Sequence, residues 1–208
     1  MFVPPAFAET DLPKLHQFII RNSFGMVVSQ VDRLPFVTHI PILLRRTEGQ
    51  HGTLVGHFAR ANPHWRQLAD QTALIIFAGP HVYVSPTWYE AKNMVPTWNY
   101  AAVHTYGQVE LIEGGEPLLD ILKETVRVYE QAMPQPWVFD DTATFTERLL
   151  EQIVGFRMEI ERIEGKFKLN QNHPTERRQK VIGALERQGE ENSLGVAKLM
   201  RDTLPVDE

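Results

Sequence analysis

The stretch MVPTWNYAAVHTYG, Met94 to Gly107, decides how the rest of the chain is read. It gathers Trp98, Tyr100, His104 and Tyr106 beside Thr97 and Asn99, and it feeds an alternating segment, about Ala102 to Ile112, with the two-residue period of a long β-strand. Flat rings among neutral hydrogen-bonding groups suit a planar ligand rich in heteroatoms. Apolar faces sandwich a ring system while amide and imidazole groups read its edges. An aromatic core turn with a satisfied histidine is the alternative that composition alone leaves open.

Toward the N-terminus, Ala73 to Gly79 and His81 to Ser85 are apolar-rich strand segments separated by Gly79-Pro80, and the loop Pro86 to Pro96 joins them to the aromatic stretch. Before them a strand, Thr53 to Ala59, runs directly into ARANPHWRQLAD. Asn62 is placed to cap a short helix with Pro63 at its first position, so the free N–H groups of that turn and the Arg60 guanidinium can converge on one anion. A capped surface helix with a solvated arginine is the plainer alternative. Further back, Asp11 caps a helix over Leu12 to Asn22, whose Leu12, Leu15, Phe18 and Ile19 form one stripe. Phe24 to Gln30 and Phe36 to Leu44 flank a turn and predict a hairpin. Pro41 removes one ladder donor from the second of these strands and predicts an edge, bulge or ligand-facing gap there, with His39 two residues earlier on the same face.

Toward the C-terminus the period changes. Glu116 to Met133 carries Leu118, Leu119, Leu122, Val126 and Tyr129 at helical spacing until Pro134 and Pro136, and a shorter helix covers Ala143 to Ile153. Gly155 to Ile163 alternates Phe156, Met158 and Ile160 against Arg157, Glu159 and Glu161, the pattern of a half-buried strand. KFKLNQN, Lys166 to Asn172, follows as a polar and basic exit. The tail from Pro174 predicts two amphipathic helices, Thr175 to Gln188 and Ser193 to Asp202, joined around Gly189. Its basic residues Arg177, Arg178 and Lys180 sit at one end of the first helix, which favours a packing or dimer-clasping hairpin over a DNA-reading one. About seven short strands without regular βα alternation point to a mainly β protein, an antiparallel barrel with helical additions.

Across 208 residues the formal net charge is −5 and there is no cysteine, which excludes disulfides, thiolate nucleophiles and Cys-ligated zinc and offers no global basic field for nucleic acid. The eight histidines are scattered without metal-ligand spacing. No Gly-flanked serine elbow, Walker A or dinucleotide glycine pattern occurs. The N-terminus lacks a basic n-region and no run approaches a membrane span, so the expectation is a soluble, cytoplasmic protein. What remains is a site where a bound cofactor does the chemistry.

FVPPAF, VTHIPILL, GHFARANPHW, VSPTWY, VPTWNYAAVHTYG and KFKLNQN occur in an order that resembles the PaiB-like proteins, known as FMN-binding negative transcriptional regulators. Departures are small, such as Asn170 in KLNQN where the family favours Ser. The resemblance implies a split β-barrel related to pyridoxamine-phosphate oxidase and flavin reductases, spanning residues 1–172 with inserted helices at about 116–153, and a helical tail at 173–208. It implies a homodimer with FMN between subunits. His39 and His57 would line the cofactor, Arg60 and Asn62 would face its phosphate, Trp98, Asn99 and His104 would lie near its ring or ribose, and Lys168 with Gln171 would close the site from the partner subunit. An FMN-dependent oxidoreductase activity is compatible with it. Two other classes stay open: a transcriptional repressor acting through DNA or a partner protein, and a haem-binding or haem-degrading barrel using His39, His57, His104 or His173.

Overall fold

Strand periodicity dominates from Phe24 to Ile112, and helices and strands then alternate in blocks to the C-terminal helix pair. The computed structural model describes residues 1–69, 71–140 and 144–205. In chain order the elements are β1 (Ala8–Glu9), α1 (Leu12–Arg21), β2 (Phe24–Val31), β3 (Leu34–Arg45), β4 (Thr53–Ala59), β5 (Thr72–Val84), β6 (Thr97–Ile112), α2 (Gly115–Glu130), α3 (Thr144–Glu151), β7 (Ile153–Glu159), β8 (Arg162–Lys168), α4 (Thr175–Gln188) and α5 (Glu191–Arg201). Short 3-10 turns cover Pro5–Phe7, Pro63–Gln67 and Pro86–Tyr89. These elements form two compact units. A barrel unit comprises Ile19–Phe77 and His104–Ile163, and a tail unit comprises Met1–Phe18, Ala78–Val103 and the residues from Glu164 onward.

In the barrel unit β2 and β3 form the predicted hairpin, in register from Phe24↔Pro41 to Val31↔Leu34. Its two-residue loop, Asp32-Arg33, has both φ angles positive, at 53° and 66°, which matches the twist of the strands it joins. β2 also pairs with β5, β3 with β4, β4 with β7 and β7 with β6, all antiparallel. Because β6 lies beside β5, the circuit β5-β2-β3-β4-β7-β6 closes on itself. This is a split β-barrel, and Pro41 marks the split: β3 pairs with β2 up to Pro41 and with β4 from Ile42 on. The missing N–H of Pro41 therefore falls where one ladder hands over to the next, so no strand loses a partner. Alternation sends Val27, Ile42, Leu54, Phe58, Ile75, Phe156 and Met158 inward, all fully buried. Outside the barrel, Ile121 of α2 packs on Leu43 and Val55.

The tail unit carries the sheet order β1-β8-β6-β5 through its own parts of β5 and β6. β1 pairs with β8 through Ala8↔Lys166 and Glu9↔Gly165. The helix pair α4–α5 turns at Gly189, whose φ of 71° is the left-handed C-cap that its sequence position predicts. Val181, Ile182 and Leu185 of α4 and Val196, Ala197 and Met200 of α5 are buried. Arg178, only 5% exposed, donates to the Met200 carbonyl and to Thr203 Oγ1. Its charge sits at the negative C-terminal end of α5, which compensates a buried cation.

Three boundaries differ from the sequence expectation. Gly79-Pro80 does not divide its segment, since β5 runs through it for 13 residues. The β2–β5 register extends only from Leu74 to Ile76, so Pro80 lies beyond that ladder and its lost donor is harmless there. β6 begins at Thr97 rather than near Ala102. The strand expected over Gly155 to Ile163 ends at Glu159, and a new strand, β8, starts at Arg162 and absorbs Lys166 to Lys168.

Candidate functional site

With β6 starting at Thr97, strand alternation sorts the aromatic stretch. Asn99, Ala101, Val103 and Thr105 point into the core, while Trp98, 53% exposed, and Tyr100 lie on the other face. In the tail unit Trp98 is flanked by two side chains of β5: His81 at 6.3 Å between ring centroids, and Tyr83 at 6.1 Å and 71°. On the other neighbour, β8, Lys166 Nζ lies 5.3 Å from the Tyr100 ring and 5.6 Å from the Phe2 ring. Lys168 Nζ donates to Thr97 Oγ1. Neither lysine forms an ion pair with a carboxylate among the described residues, and Glu164, two positions earlier on β8, is bonded by the Met1 amino group. A platform of rings therefore stands beside two half-buried ammonium groups. His81, Tyr83 and Lys166 are absent from the expected site. HVYV and KFK alternate legibly, but which strands flank β6 depends on long-range pairing.

Two further expected residues of this unit hold structure. Asn99 is fully buried, its Nδ2 set 3.4 Å from Met200 Sδ and its Oδ1 without a hydrogen-bond partner among the described residues. Gln171 clamps the exit of β8, accepting from Leu169 N–H at 2.7 Å and donating to the Phe167 carbonyl. The neighbouring Asn170 has a positive φ of 63° and donates at 2.9 Å to the hydroxyl of buried Tyr89. Burial pushes that phenol's pKa up, with the Asn170 hydrogen bond opposing.

In the barrel unit Arg60 is occupied. Its Nε donates to the Glu151 carbonyl at 2.8 Å, Nη1 to Glu113 Oε2 at 3.1 Å, and Nη2 to the carbonyls of Glu113 at 3.3 Å and Ile153 at 3.0 Å. Asn62 does cap the 3-10 turn at Pro63, accepting from His64 N–H at 3.0 Å, while its Nδ2 donates to Thr38 Oγ1 at 3.0 Å. His64, outside the expected set, is fully buried between Ser29 Oγ and Thr38 Oγ1, each 2.8 Å from a ring nitrogen. His57 is half-buried on β4, His104 half-buried on β6 with its ring 6.5 Å from Tyr106, and His39 exposed on β3 with its ring stacked on Phe24. No group of three or more potential ligands is placed to hold a metal among the described residues.

Burial lowers the pKa of His57 and of His64 below the ordinary histidine value of 6.5. Each takes up a proton less readily in the folded state than in the unfolded one, so their contribution to stability is complete above pH 6.5 and declines as pH falls toward the lowered folded values. Each contributes a slope of at most about 1.4 kcal/mol per pH unit in that window. Urea midpoints are expected to fall between pH 7.5 and pH 5, and His64→Gln should flatten part of that fall.

A family model described as "Putative FMN-binding domain" matches residues 1–162. The chain belongs to this FMN-binding family. Within the family it is PaiB-like: it is 36% identical over 206 residues to "Protease synthase and sporulation protein PAI 2" of Bacillus subtilis, covering 98% of each chain. Among solved structures it is similar to the flavocytochrome Anf3 of Azotobacter vinelandii, at 15% identity and a TM-score of 0.60 over 77% of this chain and 69% of that one. It is also similar to an FAD and haem binding protein of Mycobacterium smegmatis, at 14% identity and a TM-score of 0.55 over 77% and 73% of the two chains. At those identities the likeness shows a common fold. FMN is the cofactor of the family to which the chain belongs. No helix among the described residues is long and apolar enough to cross a membrane.

Proposed function

We propose that the chain is a flavoprotein that holds FMN on the ring-and-ammonium face of its tail unit, and that it works as a homodimer with the cofactor at the subunit interface. The observation that carries this reading is the platform of Trp98, Tyr83 and His81 beside Lys166 and Lys168, which form no ion pair among the described residues, in a chain whose family binds FMN. The donor set fits the cofactor: flat faces for the isoalloxazine, cations for the phosphate, and a Thr97 hydroxyl bonded to one of those cations. Trp98 and Tyr83, 53% and 44% exposed, are rings that a bound flavin and a second subunit would cover. When bound, FMN supplies hydride and electron transfer, and an FMN-dependent oxidoreductase is the activity that follows. The chain's own part is to bind, orient and shield the ring.

A regulatory role is proposed through a partner protein rather than DNA. Lys180 of α4 is paired with Glu90 at 3.0 Å and Glu176 at 3.2 Å, Arg201 of α5 is paired with Glu186, and Arg178 is buried. Three of the six arginines and lysines on these two helices are engaged in this way, and Arg177, Arg187 and Lys198 remain beside Glu176, Glu190 and Glu191 in a tail of mixed sign rather than a basic face.

After incubation with FMN and desalting, the protein is expected to elute as a dimer that retains flavin absorption bands with altered fluorescence. Trp98→Ala should weaken FMN and riboflavin alike, by about fivefold, as one lost ring contact. A parent protein that retains no flavin and leaves flavin fluorescence unchanged would remove this reading.

A further inference from the structure

Resting on the flavin reading above, we infer that the phosphate of FMN is held by Lys166 and Lys168 of β8, and that Arg60 is a structural residue of the barrel. Alternation puts the two lysines on one side of β8, about 7 Å apart along the strand, a spacing at which two ammonium groups converge on one phosphate. Both are half-buried, and neither is neutralised by a carboxylate among the described residues. Lys166 is aimed by the rings of Tyr100 and Phe2 on which it rests. Lys168 is aimed by Thr97, whose hydroxyl accepts from the ammonium and keeps its own proton to donate to a phosphate oxygen.

The distance to the ring platform is also right. The order β8-β6-β5 places the lysines one strand from Trp98 and two from Tyr83 and His81, roughly 5–10 Å across the sheet. That is the reach of a ribityl chain between a flavin ring and its phosphate.

Arg60 offers the opposite picture. Three of its donor hydrogens are on main-chain carbonyls of Glu113, Glu151 and Ile153, and a fourth is on the Glu113 carboxylate. A phosphate arriving there finds four of the guanidinium's donors already engaged and a facing carboxylate, so it gains little attraction and meets some repulsion. The sequence nonetheless makes Arg60 the more conspicuous candidate, because it stands directly before a capped turn.

The test compares FMN with riboflavin, which lacks the phosphate, by fluorescence titration against three proteins: the parent, the double variant Lys166→Gln with Lys168→Gln, and Arg60→Gln. The lysine pair should weaken FMN by about thirtyfold or more while changing riboflavin less than about threefold. Arg60→Gln should leave the FMN-to-riboflavin ratio at its parental value, and inorganic phosphate should compete with FMN but not with riboflavin on the parent. Neither lysine is fully buried or held in an ion pair among the described residues, so melting temperatures near the parent's are expected for their variants, and the phosphate competition needs no variant at all. A lysine pair that leaves the ratio unchanged, or an Arg60→Gln variant that abolishes it, overturns the assignment while the flavin reading stands. A parent that binds both flavins equally also overturns the assignment alone. A parent that binds neither overturns both.

Discussion

Gly107→Val is expected to prevent the barrel from closing. A Cβ at Gly107 would lie 2.2 Å from the Glu159 carbonyl oxygen and 3.0 Å from Met158 Cγ, and the first of these is backbone that a rotamer change cannot move. The strand that carries Glu159 is pinned on both sides of the contact. Val109 pairs with Met158, Glu161 N–H donates to the Tyr106 carbonyl at 2.9 Å, and Ile160 N–H donates to the Gly52 carbonyl at 3.0 Å. Relief therefore requires β6 and β7 to separate, at a cost of about 3 kcal/mol or more, which lowers the melting temperature by about 10 °C. Thermal unfolding followed by circular dichroism measures it, with Gly114→Ala as the control. A Cβ at Gly114 meets nothing within 4 Å, and its melting temperature should stay within a degree or two of the parent's, roughly the span of a neutral surface change. Equal melting temperatures for Gly107→Val and the parent would show that this approach is looser than the geometry gives.

Phe156→Ala is expected to lose about 3–5 kcal/mol, a large part of the roughly 5–15 kcal/mol that holds a domain together. Phe156 is fully buried in the barrel, its ring 5.3 Å from that of Phe58 and pressed against Gly56, where an added Cβ would come within 2.8 Å of it. Few neighbours can fill the vacated space, because the surrounding positions are fixed by the β4–β7 ladder, in which Gly56 pairs with Phe156 itself. The cavity term therefore adds to the lost transfer energy. Urea unfolding should show a lower midpoint with an unchanged slope, the sign of altered stability rather than an altered unfolded state. Phe2→Ala, at an 82% exposed ring, should leave the midpoint almost where it is.

Interactions within a few residues were the legible part of this chain. Asn62 capping the turn at Pro63, the left-handed Gly189, the alternation of Phe156 and Met158, and the antiparallel barrel all follow from spacing and residue type. The order of the quoted motifs also resembled the PaiB-like family, and the match over residues 1–162 agrees with it. Boundaries around Gly79-Pro80 and Glu159 were less legible. A proline or a short break reads the same way whether or not a neighbouring strand needs the donor it removes.

The site divides along the same line. From Met94 to Gly107 the chain by itself determines a ring-rich stretch that feeds a strand from about Ala102, and strand phase sets successive residues on opposite faces. Only the tertiary structure decided where that phase begins, which sent Trp98 outward and buried Asn99 against Met200. Only the tertiary structure decided which cations remain available. Glu113 and Glu151 lie 53 and 91 residues from Arg60 and occupy its donors, while Lys166 and Lys168, which look like an exit loop in the sequence, were drawn into β8 beside Tyr100 and Thr97. The physical reason is range. Caps and alternation are set by neighbours along the chain, whereas the charge left on an arginine or a lysine depends on partners that arrive only when the sheet closes.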